Sequence, residues 1–186
     1  TGSEDRKIGI GPKKGKKIEV KSPTTYLAII QFENNTLIQL TLSFDVIDHQ
    51  RNHIEFYGTK GSIVVSDPNM FGGSAFVCTI PGGKWEEYKT ENMKLGRINI
   101  ESHSGRLNEL PTNANYRGVG LSEMIYCIEN NKNHRCNGEL ALHVLDIIES
   151  TMQAAISKTP KKIQTTCKKP EFFSEEEIKK IFSYKE

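Results

Sequence analysis

The sequence predicts an α+β fold in which an open, largely antiparallel β-sheet carries helices on one face. Two observations lead to this prediction. As far as about Tyr88, apolar residues alternate with polar ones at the period of a half-buried strand. From Leu121 onward, apolar residues recur at the spacing of one helix face. Strands that precede helices along the chain, rather than alternating with them, are typical of this fold class.

The predicted strands are short runs rich in β-branched and aromatic residues, which favour extended backbone. They are Tyr26–Phe32, Leu37–Phe44, His53–Tyr57, Ser62–Val65 and Ala75–Ile80. Glu33-Asn34-Asn35 predicts a hairpin turn between the first two, since Asn tolerates the left-handed backbone region. Gly58-Thr59-Lys60-Gly61 predicts a second tight turn, because its glycines fit positions with positive φ.

After a polar connection over residues 91–114, the sequence predicts three helices. One face of the first helix carries Leu121, Met124, Ile125 and Ile128. The second spans Glu139 to Ser157 and stops before Pro160, which cannot continue a helix. Its apolar stripe comprises Ala141, Val144, Leu145, Ile148, Met152, Ala155 and Ile156. The third begins after Ser174, a favourable N-cap followed by three glutamates at the positive end of the helix dipole.

Composition narrows the classes of partner. The chain has 186 residues and a net charge of +2, which does not indicate a nucleic-acid partner. Its basic run, Lys13 to Lys17, lacks interleaved aromatic residues and is interpreted as a solvated loop. No apolar run has transmembrane length, so no membrane partner is expected, and no apolar signal region opens the chain. Four scattered cysteines predict reduced thiols and therefore a cytoplasmic protein: Cys78, Cys127, Cys136 and Cys167.

The domain organisation predicted from the sequence is simple. Residues 1–5 are expected to be a tag remnant or disordered. Residues 6–186 are long enough to form a single domain with a sizeable core.

The strongest local candidate for a binding site is the run Asn115-Tyr116-Arg117, which leads from the polar connection into the first helix. Backbone N–H groups at a helix start and an Arg can face an anion or a sugar hydroxyl. Alternatively, Gly118 and Gly120 merely let the helix start pack tightly, and both interpretations stay open. His143, at the flank of the second helix's apolar face, is a weaker binding candidate, and a half-buried structural His is favoured there.

Other suggestive patterns do not form sites. The run Gly9 to Gly15 lacks the spacing, strand and helix of a dinucleotide fingerprint, so no cofactor site is predicted in this chain. A zinc site needs four convergent ligands, and none is predicted from Cys127, His134 and Cys136. No base lies beside a cysteine, so no cysteine nucleophile is predicted. A solvated turn is the favoured interpretation of Asp45, Asp48 and His49.

Several motifs, taken together, resemble a known family. Ile54 to Gly61 reads Ile-Glu-Phe-Tyr-Gly-Thr-Lys-Gly, and Asp67 to Gly73 reads Asp-Pro-Asn-Met-Phe-Gly-Gly. Tyr116-Arg117-Gly118-x-Gly120-Leu121, the run from His134 to Asp146, and Lys169-Pro170 follow in the same order. As a set, these motifs resemble the C-terminal domain of Gfo/Idh/MocA oxidoreductases, which are two-domain NAD(P)-dependent sugar and polyol dehydrogenases.

The resemblance implies a dihydrodipicolinate-reductase-like fold, as in the C-terminal domain of glucose-fructose oxidoreductase. It implies a sheet that forms both a substrate-side wall and the interface of a homo-oligomer, most simply a dimer. In the family, NAD or NADP binds an N-terminal Rossmann domain that also carries a catalytic lysine in Glu-Lys-Pro. Here Lys169-Pro170 follows Lys168 and is not that motif. The family's paired Asp and His would lie before residue 1, so the chain alone is expected to be inactive.

Two alternatives belong to other classes of protein. The chain could be a free-standing interaction or dimerisation module without catalysis, because an exposed sheet face is itself an association surface. A carbohydrate-binding domain is less favoured, since Trp85 is the sole tryptophan and no aromatic platform is evident.

Overall fold

The computed structural model describes residues 5–99, 114, 116 and 118–182. These residues form eight strands and three helices, which confirms the coarse α+β class. The strands are β1 (Arg6–Lys7), β2 (Lys17–Ile18), β3 (Thr25–Gln31), β4 (Leu37–Ser43), β5 (Ile54–Gly58), β6 (Gly61–Val65), β7 (Ser74–Cys78) and β8 (Glu86–Lys89). The helices are α1 (Val119–Glu129), α2 (Gly138–Ser157) and α3 (Glu175–Ile181).

The chain divides into two compact units, Thr1–Gln50 and Arg51–Glu186. The first unit holds β1 to β4, and the second holds β5 to β8 with the three helices. The single domain predicted for residues 6–186 spans both units and stays a prediction.

All strand pairs in the described residues are antiparallel, but they form three sheets rather than one. β1 pairs with β2, β3 pairs with β4, and β5 to β8 form a four-stranded sheet in sequential order. The five predicted strands correspond to β3 to β7, with ends that differ by one or two residues. β8 was not predicted because Glu86-Glu87-Tyr88-Lys89 is mostly charged, and backbone pairing with β7 holds it in place.

Both predicted hairpin turns are confirmed, but the positive φ predicted for both glycines of the second turn holds for Gly61 and not for Gly58. Asn35 has φ 64° between β3 and β4, and its N–H donates to Phe32 O at 2.9 Å. Gly61 has φ 154° after the turn between β5 and β6. A Cβ on Gly61 would lie 2.7 Å from the Cys78 carbonyl oxygen, so this position also needs glycine for space.

The helices begin and end near the predicted residues. Asn137 caps α2 by accepting the Leu140 N–H at 3.0 Å, and Lys158 (φ 55°) follows its last residue. Ser174 caps α3 in a capping box, since its Oγ accepts the Glu177 N–H and the Glu177 carboxylate accepts the Ser174 N–H. Local capping chemistry therefore determines these boundaries.

The periodicity of α1 and α2 predicted that their apolar stripes would be buried in a core. In the structure these stripes are largely exposed. Leu121 is 57% exposed and Ile148 is 50% exposed. α1 instead buries Glu123 and Cys127, which lie one turn apart on another face, and it packs against α3. Among the described residues, the buried apolar side chains are Ala114, Cys127 and Ile181.

Candidate functional site

Tyr116 is held by the segment that follows the four-stranded sheet. Its backbone N–H donates to Asn99 Oδ1 at 2.8 Å, and its ring centroid lies 4.9 Å from that of Phe71 at a 45° tilt. Its hydroxyl oxygen accepts the Arg97 N–H at 3.4 Å. Its predicted companions, Asn115 and Arg117, lie outside the described residues. Tyr116 therefore has a defined position just before α1.

Phe71 occupies a strained turn. Asp67 caps the short 3-10 helix Pro68–Met70 by accepting the Asn69 N–H at 2.9 Å. Phe71 follows with φ 65° and ψ −73°, and the Gly72 N–H donates to Met70 O at 2.9 Å. This is a γ-turn with positive φ, which is rare and unfavourable for a bulky residue.

Glycines beside Phe71 allow two backbone segments to approach closely. A Cβ on Gly72 would lie 2.2 Å from Gly96 O, and a Cβ on Gly96 would lie 1.9 Å from Thr90 O. The Thr90 hydroxyl lies 2.7 Å from Gly73 O and 2.6 Å from Gly96 O, and it accepts the Gly73 N–H at 3.1 Å. The γ-turn is thus fixed against the segment that ends at Asn99.

Backbone hydrogen bonds complete this arrangement, which we call the loop cluster: residues 67–73, 96–99, 114 and 116. The Asn99 N–H donates to Met70 O and the Ala114 N–H donates to Ile98 O, both at 2.8 Å. Ala114 is buried at 6% exposure. The loop cluster therefore brings the Asp67–Gly73 motif against the residue that opens the Tyr116 motif.

His143 lies elsewhere, on the half-buried side of α2. Its Nδ1 is 3.1 Å from Thr165 Oγ1, which donates to Asp146 Oδ2 at 2.9 Å. Because the Thr165 hydroxyl has one proton and the carboxylate can only accept, Nδ1 of His143 is the donor. His143 thus contacts the C-terminal segment (residues 159–173), and its role in substrate binding stays a prediction.

Asp146 anchors the same segment. Its Oδ2 accepts the backbone N–H groups of Gln164 and Thr165, both at 2.8 Å. The Thr165 N–H is the main cause that lowers the pKa of Asp146. A charged carboxylate is therefore the favoured state at this anchor.

A charged cluster centred on Arg135 was not predicted from the sequence. Its guanidinium lies 3.1 Å from Glu123 Oε1 and 3.0 Å from Glu177 Oε2. These partners are 12 and 42 residues away in the chain, so no periodicity rule connects them. Arg135 also lies over the Phe173 ring, 3.9 Å from its centroid. Every charge is paired within the chain, so the cluster fits a structural clamp.

No group of three potential metal ligands occurs among the described residues. Cys127 Sγ instead lies 3.6 Å from Glu123 Oε1, and burial raises the pKa of its thiol. Asp45 accepts hydrogen bonds from Thr24 and Arg6 at 2.7 and 3.0 Å, and also from Thr25, which is the main cause of its lowered pKa. Asp45 therefore acts as a hydrogen-bond acceptor just after the end of β4.

The glycine-rich run near the N-terminus does not fit a dinucleotide. It forms the turn between β1 and β2, in which the Lys14 N–H donates to Gly11 O at 3.0 Å. A dinucleotide fingerprint instead requires a strand, a tight turn and a helix N-terminus.

No protein-family model matches the chain, and neither the curated proteins nor the solved structures provide a match. In the part of the chain that the structure describes, no helix has the length and apolarity needed to cross a membrane.

Proposed function

We propose that the chain is the C-terminal substrate-binding and oligomerisation domain of an NAD(P)-dependent oxidoreductase that acts on a sugar, a polyol or a related hydroxy compound. NAD or NADP would be bound by a separate nucleotide-binding domain, which would also supply the proton-transfer groups. The finer fold proposed is the dihydrodipicolinate-reductase-like sheet of Gfo/Idh/MocA enzymes.

The contact between Phe71 and Tyr116 is the observation that most supports this proposal. Phe71 belongs to the Asp67–Gly73 motif, and Tyr116 opens the motif that leads into α1. Two motifs that resemble the same family, far apart in the sequence, thus meet in one loop cluster. A chance similarity of one motif to the family would not by itself bring Phe71 and Tyr116 into contact.

The binding roles follow from residue chemistry. Tyr116 offers a hydroxyl, Asn115 an amide and Arg117 a guanidinium, which are groups that bind substrate hydroxyls or a carboxylate. His143 would be a more distant contributor, because Thr165 already engages its Nδ1. None of these residues is assigned a proton-transfer or hydride-transfer role.

The β3–β4 hairpin supports association with another copy. Leu27, Ile29 and Leu37 lie on one face of this hairpin and are 75%, 77% and 63% exposed. The opposite face is apolar and includes Ile30 and Leu40, whereas Gln39 and Thr41 share the face of Leu27. A two-stranded sheet that exposes apolar side chains on both faces is marginally stable alone, so a dimer formed through this surface would stabilise it.

Sequencing the genomic DNA upstream of the Thr1 codon tests the proposed function. We expect a Gly-x-Gly-x-x-Gly strand-turn-helix and a Glu-Lys-Pro in the same reading frame. A start codon directly before this segment would contradict the proposal. Calorimetric titration of the purified chain with NADH and NADPH is a second test, because micromolar affinity would contradict the division of labour between domains.

The second candidate is a free-standing interaction or dimerisation module without catalysis. The exposed apolar residues of the β3–β4 hairpin favour it as much as they favour an enzyme subunit. Light scattering at several protein concentrations shows whether the chain self-associates, and a strict monomer would count against both candidates. The upstream reading frame then distinguishes the two.

A further inference from the structure

We propose that Phe71 is a specificity residue, which forms with Tyr116 an aromatic corner that stacks against the C–H face of a polyhydroxy substrate. This inference rests on the proposed function, because it assigns the substrate class of that function to particular side chains. It adds Phe71, a residue for which the sequence indicated no binding role.

The backbone of Phe71 is the first argument. A φ of 65° with a ψ of −73° is unfavourable for any residue with a Cβ, and glycine or asparagine would adopt a positive φ more readily. Strained residues of this kind persist only where their surroundings determine the conformation, and they cluster at functional sites. Here Gly72 packs against Gly96 and holds the turn. A phenylalanine at this position indicates that its ring is needed.

The exposure of the ring is the second argument. Phe71 remains 42% exposed although its ring contacts Tyr116 at 4.9 Å between centroids. Packing against Tyr116 therefore uses only part of the aromatic surface. The two rings, tilted by 45° to each other, form an aromatic corner.

Polar groups beside the corner are the third argument. The Tyr116 hydroxyl accepts only the long bond from the Arg97 N–H among the described contacts, and its own proton can be donated to a ligand. Asn69, which is exposed, lies in the 3-10 helix that precedes Phe71. An aromatic face with a hydroxyl at its edge matches a sugar or cyclitol, which presents both C–H groups and hydroxyls.

Titration with scyllo-inositol, followed by ¹H–¹⁵N NMR of the full chain, tests this inference. All six hydroxyls of this cyclitol are equatorial, so both faces present axial C–H groups. At about 10 mM, which saturates a submillimolar site, we expect shifts at Phe71, Asn99 and Tyr116, and none with glycerol. We also expect nuclear Overhauser effects between inositol C–H protons and the Phe71 ring, which requires no variant.

Variants separate stacking from packing. Phe71→Gly removes the ring at a backbone position that glycine favours, and it should weaken inositol binding by about fivefold to tenfold. Phe71→Tyr keeps the ring and should bind like the wild type. The matched control is Phe172→Asn, because Phe172 is 87% exposed and lies outside the loop cluster.

Three results would overturn the inference: no shifts in the wild type, no Overhauser effect to Phe71, or unchanged affinity in Phe71→Gly. If Tyr116→Phe weakens binding while Phe71→Gly does not, the aromatic corner is wrong and the proposed function stands. If the upstream reading frame lacks a nucleotide-binding domain but inositol still binds the corner, the proposed function is wrong and the binding site stands.

Discussion

The guanidinium of Arg135 lies 3.1 Å from the carboxylate of Glu123, whose side chain is only 5% exposed. The same guanidinium donates to the Glu171 and Phe172 carbonyl oxygens at 2.8 and 3.1 Å. It also donates to Glu177 at 3.0 Å. A buried carboxylate is tolerated only when it is paired and hydrogen-bonded. Arg135 therefore neutralises Glu123 and fastens the C-terminal segment to α1.

Replacing Arg135 by Ala should destabilise the fold by about 3–5 kcal/mol, because it removes the charged partner of the buried Glu123 carboxylate and leaves it only the backbone N–H of residue 135 and the Cys127 thiol. Urea unfolding followed by circular dichroism measures the change. The control is Lys180→Ala, since Lys180 pairs with Glu176 on the exposed surface of α3. That variant should leave the unfolding free energy nearly unchanged, because solvent screens an exposed ion pair. Equal losses in the two variants would show that the cluster is not a clamp.

The stability of the fold at acid pH should depend on the hydrogen bonds that Glu177 accepts from Ser174 and Arg135. The Ser174 N–H, aided by Arg135 and Lys132 and opposed by burial, lowers the pKa of Glu177 from 4.5 to about 2. Because the folded state favours the ionised form, this contribution is complete above pH 4.5 and is lost as the pH falls towards 2.

The measurement compares wild type with Glu177→Gln by urea unfolding at several pH values. The difference in unfolding free energy should be largest near neutral pH and should shrink below pH 4.5. A difference that stays constant down to pH 2 would assign the effect to packing rather than to the charge of Glu177.

The Arg135 cluster marks the limit of sequence-based prediction for this chain. Turns and caps were predictable because Asn35, Gly61 and Ser174 act on residues within a few positions of themselves. Arg135 was not, because its partners are distant and charged residues carry no periodic signal. Helical periodicity identified which faces of α1 and α2 are apolar, but it does not specify whether another element covers them.

The loop cluster shows the same limit. Tyr116 was identified as a candidate because it precedes a helix start with nearby glycines. Its contact with Phe71 depends on a γ-turn in which Phe71 has a positive φ. From the sequence, one expects glycine rather than phenylalanine in this conformation. The position of Phe71 therefore became evident only from the backbone geometry.

Asp146 should be required to hold the C-terminal segment on α2. In Asp146→Ala, the Gln164 and Thr165 N–H groups lose their acceptor, and hydrogen exchange at these amides should accelerate at least about tenfold. Glu149→Ala is the control, because Glu149 is an exposed carboxylate on the same helix. Unchanged exchange at Gln164 and Thr165 would show that the segment is held by other contacts.

Alanine should destabilise the fold at Gly72 but not at Gly120. A Cβ on Gly72 would lie 2.2 Å from Gly96 O and 2.4 Å from the Arg97 carbonyl carbon, so the backbone of the loop cluster must shift. We expect Gly72→Ala to lose about 2–4 kcal/mol, as overpacking of fixed backbone does. Gly120 has no atom within 4 Å of its Cβ position and lies in α1, so Gly120→Ala should be neutral or gain up to about 1 kcal/mol. Thermal unfolding of both variants measures the contrast. If Gly72→Ala is as stable as the wild type, the close approach of these segments is not needed and the fixed position of Phe71 loses its basis.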